Sequence, residues 1–121
     1  MRLQKLYDMY GKKKIDKMVR QRAADSKARS KKKKYKHETT TSVIRHMLML
    51  TGGICPATGA EFVCKKRHPQ NFSIDRIDSN KGYTIDNTWL VCNWYNKAKM
   101  QMSVNELSNL IQQMSKLLGE V

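Results

Sequence analysis

The segment from Phe72 to Lys99 constrains the fold more than any other part of the chain. It begins with FSIDRID, in which apolar and polar residues alternate imperfectly, and this pattern predicts a β-strand over residues 72–78. The letters SNKG are typical of a turn. NTWLVC then predicts a second strand, and NWYNKAKM predicts a helix that Asn93 can cap. This order places the end of the first strand beside the start of the helix.

Helices are predicted on both sides of this segment. Near the N-terminus, the apolar residues follow one helical stripe, which Gly11 interrupts: Leu3, Leu6, Met9, Tyr10, Ile15, Met18 and Val19. From Arg20 onward the stripe fades, and like charges repel at helical spacing. We therefore expect the later part of this region to be frayed unless a partner binds it.

Two further helices have clear start signals. The letters TTTS at 39–42 can cap a helix over VIRHMLML, which Gly52 and Gly53 would end. Ser103 and Glu106 form a capping box. The residues after them place apolar side chains on one face, and we expect that face to pack in the core: Val104, Leu107, Leu110, Ile111, Met114, Leu117 and Leu118.

The positive charge is concentrated at one end of the chain. The formal net charge is +14, and residues 1–37 hold 15 Lys and Arg against 3 Asp, whereas the rest holds 9 against 7. Such an excess predicts an anionic partner, most simply nucleic acid. We therefore predict two parts, a basic, partly helical nucleic-acid-binding arm at 1–38 and a globular domain at 39–121. The predicted phosphate contacts in the arm are Lys12, Lys13, Lys14, Arg20, Arg22, Lys31, Lys32, Lys33 and Lys34.

Other classes of protein are disfavoured. No apolar run is long enough to span a membrane, and the start MRLQKLYDMYGKKK is too polar for a signal peptide. Three cysteines would leave one unpaired in any internal disulfide. We therefore expect an intracellular protein with reduced thiols.

Two side chains of the central segment could hold one cation. Asp75 lies on the first predicted strand and Asn96 in the first turn of the following helix, so their oxygens could face the same ion. Carboxylate and amide oxygens are hard ligands that suit Mg²⁺ or Mn²⁺. A divalent ion held by few protein ligands keeps positions open for phosphate oxygens, and it can stabilise the charge of a scissile phosphate.

The same residues resemble a known family. Asp75 with Arg76, Gly82-Tyr83, Asn87 and then LVCNWYNKAK resemble the HNH, or ββα-metal, endonucleases over about residues 44–100, and most closely a DRID...KGY...N subgroup common in bacteriophages. The resemblance implies a small α+β fold in which Asp75 is the metal acid, Asn87 braces the connecting loop and Asn96 is the ligand from the helix. It also implies one divalent ion, Mg²⁺ or Mn²⁺.

The chain departs from the family pattern at the catalytic base. Arg76 stands where the family has its catalytic His, and arginine stays protonated in proteins, so it could hold a phosphate but could not take a proton from water. His68, just before the strand, is the nearest replacement in sequence. Asp78 could join the metal shell or cap the turn, and Lys97 and Lys99 could contact phosphate or form a solvated helix face.

A second departure concerns zinc. Many relatives carry two Cys-x-x-Cys pairs, and the matching positions here are Cys55, Thr58, Cys92 and Tyr95. Two thiolates do not close a tetrahedral site, and the spacing of Cys64 or His68 suits a further ligand poorly. We therefore expect no structural zinc, with aromatic packing in its place, from Trp89, Trp94 and Tyr95.

These observations predict a small ββα-metal core with a C-terminal helix and a basic arm. The predicted function is a divalent-metal-dependent DNA endonuclease that hydrolyses or nicks one phosphodiester bond of duplex or branched DNA. The resemblance implies a phage-encoded protein in a bacterial host cytoplasm. One alternative is a nucleic-acid-binding protein on the same scaffold without catalysis, which Arg76 favours. Another is a basic protein that binds a protein partner through its arm.

Overall fold

Seven helices and strands follow one another in the part of the chain that the structure describes. The structure is a computed structural model, and it describes residues 2–100 and 102–119. The helices and strands are α1 (Arg2–Tyr10), α2 (Lys12–Lys33), α3 (Thr41–Thr51), β1 (Phe72–Arg76), β2 (Thr88–Cys92), α4 (Asn93–Lys99) and α5 (Val104–Leu117). A short 3₁₀ turn, Ile85–Asn87, leads into β2.

The two strands and α4 form the predicted ββα unit. β1 and β2 pair antiparallel with Phe72 opposite Cys92 and Asp75 opposite Trp89. α4 follows β2 directly and packs against both strands. The predicted α+β class is therefore confirmed, and β1 is two residues shorter than predicted because the chain turns after Arg76.

The basic N-terminal region is part of the core and not a separate arm. α2 continues without interruption to Lys33, and its residues Ile15, Val19 and Ala23 are buried in the same cluster as Ile44 and Phe72. The predicted boundary between residues 38 and 39 therefore does not separate two packed units. The predicted fraying after Arg20 was wrong because the helix turns small side chains inward, Ala23 and then two serines, between its charged residues.

Three helix boundaries agree with the local signals, whereas the predicted Asn93 cap was wrong: Asn93 is the first residue of α4, and its N-cap, Cys92, makes no side-chain cap hydrogen bond. Gly11 separates α1 from α2 with a φ of 83°, a conformation that glycine adopts without penalty. The Thr40 side chain accepts a hydrogen bond from the Val43 amide at the start of α3, and Gly52 ends that helix in the left-handed region. Ser103 caps α5 by accepting a hydrogen bond from the Glu106 amide.

The C-terminal helix does not pack as predicted. Only Leu107 of its apolar face is buried, whereas Ile111 is 51% exposed and Leu117 is 86% exposed. α5 begins at a fixed point, since the Val104 amide donates to the Ile77 carbonyl, and then leaves the core. The amphipathic pattern of α5 predicts the helix correctly, but it does not show which surface covers the apolar face. Across the described residues, no helix combines the length and the apolar character needed to cross a membrane.

Candidate functional site

The loop between the two strands is held by Asn87. Its side-chain oxygen accepts from the Asp78 amide at 3.0 Å, and its amide nitrogen donates to the carbonyls of Asp78 at 3.1 Å and Gly82 at 2.9 Å. One buried side chain therefore binds both ends of the turn. The braced turn also fixes the direction of the last residues of β1.

A polar cleft of about 240 Å³ lies where β1, α2 and α4 meet. Its lining residues are Arg29, Ile74, Asp75, Arg76, Ser79, Tyr83, Asn96 and Met100. Three predicted site residues, Asp75, Arg76 and Asn96, thus share one cleft. A smaller pocket of about 120 Å³ adjoins it and shares the lining residues Arg29, Ile74 and Tyr83.

Asp75 lies at the floor of the cleft with both oxygens engaged. One oxygen accepts from the Lys99 ammonium at 3.0 Å, and the other accepts from the Trp89 indole N–H at 2.8 Å. Trp89 can reach because it is the cross-strand partner of Asp75. Only 2% of Asp75 is exposed. The carboxylate is therefore a buried, paired group.

Lys99 is not the phosphate contact that the sequence predicted. It is fully buried, and its ammonium also donates to the Arg76 carbonyl at 2.8 Å. The prediction of a solvated or phosphate-facing lysine was wrong because a helix places residues three apart on one face, so Lys99 shares the inner face of α4 with Asn96. Lys97, by contrast, is exposed.

Asn96 turns its amide N–H groups toward β1. They donate to the Ser73 hydroxyl at 2.9 Å and to the Ile74 carbonyl at 3.2 Å. These contacts tie α4 to the strand, while the side chain still lines the cleft. Asn96 therefore positions α4 on β1. Its side-chain oxygen is the group left to accept a hydrogen bond in the cleft.

Arg76 is held by its surroundings. One guanidinium nitrogen donates to the carbonyls of Ser79 at 2.9 Å and Lys81 at 3.2 Å, which binds it to the turn. The guanidinium carbon also lies 5.0 Å from the Tyr35 ring centre and 5.3 Å from that of Tyr83. Such cation–π contacts attract the guanidinium to the two aromatic rings. Arg76 therefore lines the cleft as a cation held by the turn and by two aromatic rings.

Arg29 completes the cleft and was not predicted as a site residue. It is exposed on α2 and lines both adjoining pockets. Its position seven residues after Arg22 puts both arginines on the same helix face, which is the signal that could have identified it. Because Arg22 also reaches β1, this face of α2 points toward the strand.

Arg22 itself has a mainly structural contact, contrary to the prediction. Its Nε donates to the Phe72 carbonyl at 2.8 Å, and only 18% of its side chain is exposed. Burial lowers the pKa of the guanidinium, although arginine keeps its charge in proteins. Arg22 therefore fastens α2 to β1 and is poorly placed for a phosphate at the outer surface.

The other basic residues divide into two groups along α2. Lys12, Lys13 and Lys14 are exposed at its N-terminal end, about 25 Å along the helix from Arg29. Arg20 is exposed but pairs with Asp16 at 2.8 Å. The last turn of α2, with the exposed run Lys31, Lys32, Lys33 and Lys34, leads directly to Tyr35 beside Arg76. These lysines are not among the lining residues of the cleft, but the chain connects them directly to Tyr35, which contacts Arg76.

The donors predicted for Mg²⁺ or Mn²⁺ do not fit a divalent ion as they are placed. Asp75 is already neutralised by Lys99, and Asn96 directs its N–H groups at β1. Asp78 is not among the cleft residues, and its carboxylate accepts from the Asn80 amide within the turn. In the described part of the chain, no three His, Cys, Asp or Glu side chains are grouped to hold a metal.

His68 does not replace the missing base at this cleft. It lies in the loop before β1, where its Nδ1 accepts from the Gln70 amide at 3.0 Å, and it is not among the residues that line the cleft. No histidine is among the lining residues that the structure describes. The charged side chains that line the cleft are therefore two arginines and one aspartate that is already paired with Lys99.

The positions that match the family's zinc ligands do come together. The Cys55 sulfur accepts from the Cys92 amide at 3.2 Å, and the Thr58 hydroxyl lies 3.6 Å from the Cys92 sulfur. Burial raises the pKa of the Cys92 thiol to about 11, so it stays protonated at neutral pH. Cys64 instead donates to the Lys14 carbonyl, on α2. The absence of structural zinc stays a prediction.

Aromatic packing near these cysteines is only partly as predicted. The Trp89 and Tyr95 rings meet edge to face at 6.0 Å. Burial raises the pKa of Tyr95, and the negative charge of Asp75 adds to this effect. Trp94 is 45% exposed and contributes little to the core. Through Trp89, which donates to Asp75, this aromatic pair adjoins the cleft.

Comparison with known proteins shows which fold the chain shares. The arrangement of the two strands and α4 is that of an HNH-like α+β protein. Among solved structures, the chain is similar to the rare-cutting HNH restriction endonuclease PacI, with a TM-score of 0.58 and 21% identity over 84% of this chain and 78% of that one. No protein-family model matches the chain, and no curated protein matches it. The resemblance seen in the sequence is thus confirmed at the level of the fold.

Proposed function

We propose that this chain binds DNA along the sugar–phosphate backbone, with one phosphate in the cleft between β1, α2 and α4. The observation that carries the proposal is the meeting of Arg29 and Arg76 at a cleft whose lining carboxylate, Asp75, is neutralised by Lys99. Two guanidinium groups without an opposing free carboxylate attract a phosphate, and arginine donates to phosphate oxygens in a fixed fork.

The surface beside the cleft supports a longer contact with DNA. The exposed lysines at the end of α2 lie next to Tyr35, whose ring contacts Arg76. Duplex DNA carries one negative charge per roughly 1.7 Å of its axis, so a cluster of lysines at the end of α2 would add attraction for the phosphates that neighbour the cleft. Duplex and branched DNA both present such a backbone, and both are candidate ligands.

Cleavage of the bound strand is the second candidate function. It is supported by the likeness to a solved restriction endonuclease and by Asp75, Arg76 and Asn96 lining one cleft. In this proposal Arg29 and Arg76 would bind the scissile phosphate and stabilise the negative charge that develops on it. The residues do not fit the divalent ion that the resemblance implies, so no step is assigned to it.

Direct binding measurements test the first proposal. Fluorescence anisotropy with a labelled duplex and a labelled four-way junction gives the affinity as a function of salt. Arg29→Ala should weaken binding and reduce the slope of log K against log salt by about 0.9, the effect of leaving one phosphate without its cation. Lys66→Ala removes an exposed charge from the loop before β1 and is the matched control. Equally weakened binding in the two variants would contradict the use of the cleft.

A plasmid assay separates binding from cleavage. Supercoiled plasmid is incubated with the protein in Mg²⁺, in Mn²⁺ and in EDTA, and open circles are counted by gel electrophoresis. Nicking that disappears in Asp75→Asn while DNA affinity is retained would establish the second function. DNA binding without open circles in all three conditions would leave the first function alone.

A further inference from the structure

Lys99 occupies a position that a cation is expected to fill. Its ammonium lies 3.0 Å from a carboxylate oxygen of Asp75 and 2.8 Å from the Arg76 carbonyl. These are two oxygens of β1 that would otherwise face the inner side of α4. The lysine side chain is 1% exposed and that of Asp75 is 3% exposed, so the pair is shielded from solvent.

The ion pair leaves no uncompensated negative charge that could attract a second cation. Asp75 contributes one negative charge, Lys99 one positive charge, and Arg76 adds a further positive charge close by. A divalent ion at Asp75 would have to lose its water in the presence of both cations. Each buried side-chain nitrogen and oxygen in the described residues already has a hydrogen-bond partner, so no donor there awaits a metal.

The second oxygen of Asp75 is also fixed. Trp89 donates to it from the neighbouring strand, and Asn96 turns its N–H groups away toward Ser73 and Ile74. The carboxylate therefore cannot rotate toward the cleft without breaking two hydrogen bonds inside the protein. Both the charge and the geometry of the site are complete without an added ion.

We propose that the Lys99 ammonium takes the place of a divalent cation at Asp75, so that the cleft operates without a bound metal. The positive charge offered to a phosphate then comes from Arg29 and Arg76, while Lys99 keeps the carboxylate neutralised behind them. The proposal deepens the proposed function by stating how the cleft carries its charge, and it rests on that function only for the identity of the anion.

Manganese alone tests the proposal. Mn²⁺ broadens the NMR signals of nearby protons, and the Trp89 indole N–H contacts Asp75 directly, whereas the exposed Trp94 indole serves as the internal reference. In wild-type protein both indole signals should survive Mn²⁺ in equal measure. In Lys99→Met, the Trp89 signal should broaden at a lower Mn²⁺ concentration than the Trp94 signal, and Asp75→Asn/Lys99→Met should lose that difference.

Three results would overturn it. The first is selective broadening of the Trp89 signal in wild-type protein that Asp75→Asn abolishes, since Asp75 would then hold a metal with Lys99 in place. The second is the absence of any Mn²⁺ effect at Trp89 in Lys99→Met. If that variant does not fold, Lys99→Gln is measured instead, and the same absence there is the third. Because no DNA is present, these outcomes are independent of whether the cleft binds DNA.

Discussion

Gly82 lies where two distant segments come into contact. A Cβ atom at this position would stand 2.8 Å from the Lys36 carbonyl oxygen, which is a backbone atom and cannot swing away. The neighbouring Tyr83 amide donates to the same carbonyl. We expect Gly82→Ala to destabilise the protein by roughly 1–3 kcal/mol, the usual cost of overpacking. Urea unfolding checks this, with the exposed Asn80→Ala in the same turn as control. Equal stability in the two variants would contradict the contact.

Lys99 and Asp75 should depend on each other for stability. Removing one partner of a buried ion pair leaves an uncompensated charge, so Lys99→Met should lower the free energy of unfolding by roughly 3–5 kcal/mol. Asp75→Asn/Lys99→Met should recover a large part of this stability, because neither charge remains. A double-mutant cycle in urea measures the coupling. Additive effects of the two single changes would show that the side chains do not interact.

Individual contacts of this kind could not be read from the sequence. The order of strands and helix was enough to bring Asp75 and Asn96 to one cleft, while Asn87 lies in the loop between the strands. It could not show that Trp89 lies opposite Asp75, since the register of β1 and β2 depends on the length of the turn between them. The meeting of Arg29 with Arg76 depends on how α2 crosses β1, which no local pattern encodes.

At the scale of elements, α5 shows that a sequence pattern can predict a helix without predicting how that helix packs. Its capping box and apolar stripe predicted the helix, but a stripe does not identify the surface that covers it. We expect Leu107→Ala to destabilise the protein by about 1–2 kcal/mol, because Leu107 is buried, and Leu117→Ala to change stability by less than about 0.5 kcal/mol. Thermal unfolding of the two variants at low protein concentration compares them. A large effect at Leu117 would mean that this face is covered.

α2 shows the converse, because its apolar pattern is weak and yet the helix packs well in the core. Its many charged residues concealed the small buried side chains Ala23, Ser26 and Ser30, which let the helix approach its neighbours. Ser26 receives a hydrogen bond from Thr39 at 2.9 Å and contacts the His37 Nε2 at 2.9 Å. These contacts fasten the segment after α2 back onto the helix. Small polar residues in a charged run are a signal that the prediction of fraying overlooked.

The contact at His37 should make stability depend on pH. Burial lowers the pKa of His37 in the folded protein, and the positive charge of Lys27 adds to this effect. The unfolded chain therefore binds a proton more readily, so stability is complete well above pH 6.5 and falls as the pH drops through 6.5 and below. Unfolding in urea at about pH 7.5 and about pH 5.5, on either side of the ordinary histidine pKa, checks this, and His37→Gln should reduce the difference. A difference unchanged in that variant would assign the effect to other groups.

Across the whole molecule, most of the excess positive charge lies on α2, a helix that packs in the core. Composition alone located the excess in residues 1–37, and it did so correctly because charge is counted without knowledge of packing. It could not show that Leu3, Leu6, Ile15 and Val19 join the core, so that the basic helix has a fixed orientation toward β1. A fixed basic helix presents its cationic side chains at constant spacing, which a flexible arm does not.

The orientation of α2 leads to a prediction about DNA affinity. Lys32 and Lys33 are exposed at the end of α2 that leads to Tyr35 and Arg76, whereas Lys65 and Lys66 are exposed in the loop before β1; none of the four lines the cleft. Replacing both members of a pair by Gln removes the same charge in each case. Counterion release predicts that Lys32→Gln/Lys33→Gln reduces the log–log salt slope of DNA binding by roughly 1.8, or about 0.9 for each phosphate that is no longer neutralised. Lys65→Gln/Lys66→Gln should leave the slope nearly unchanged. If both double variants shift it equally, DNA binding depends on net charge and not on the oriented surface of α2. If neither does, the DNA backbone does not lie along this helix.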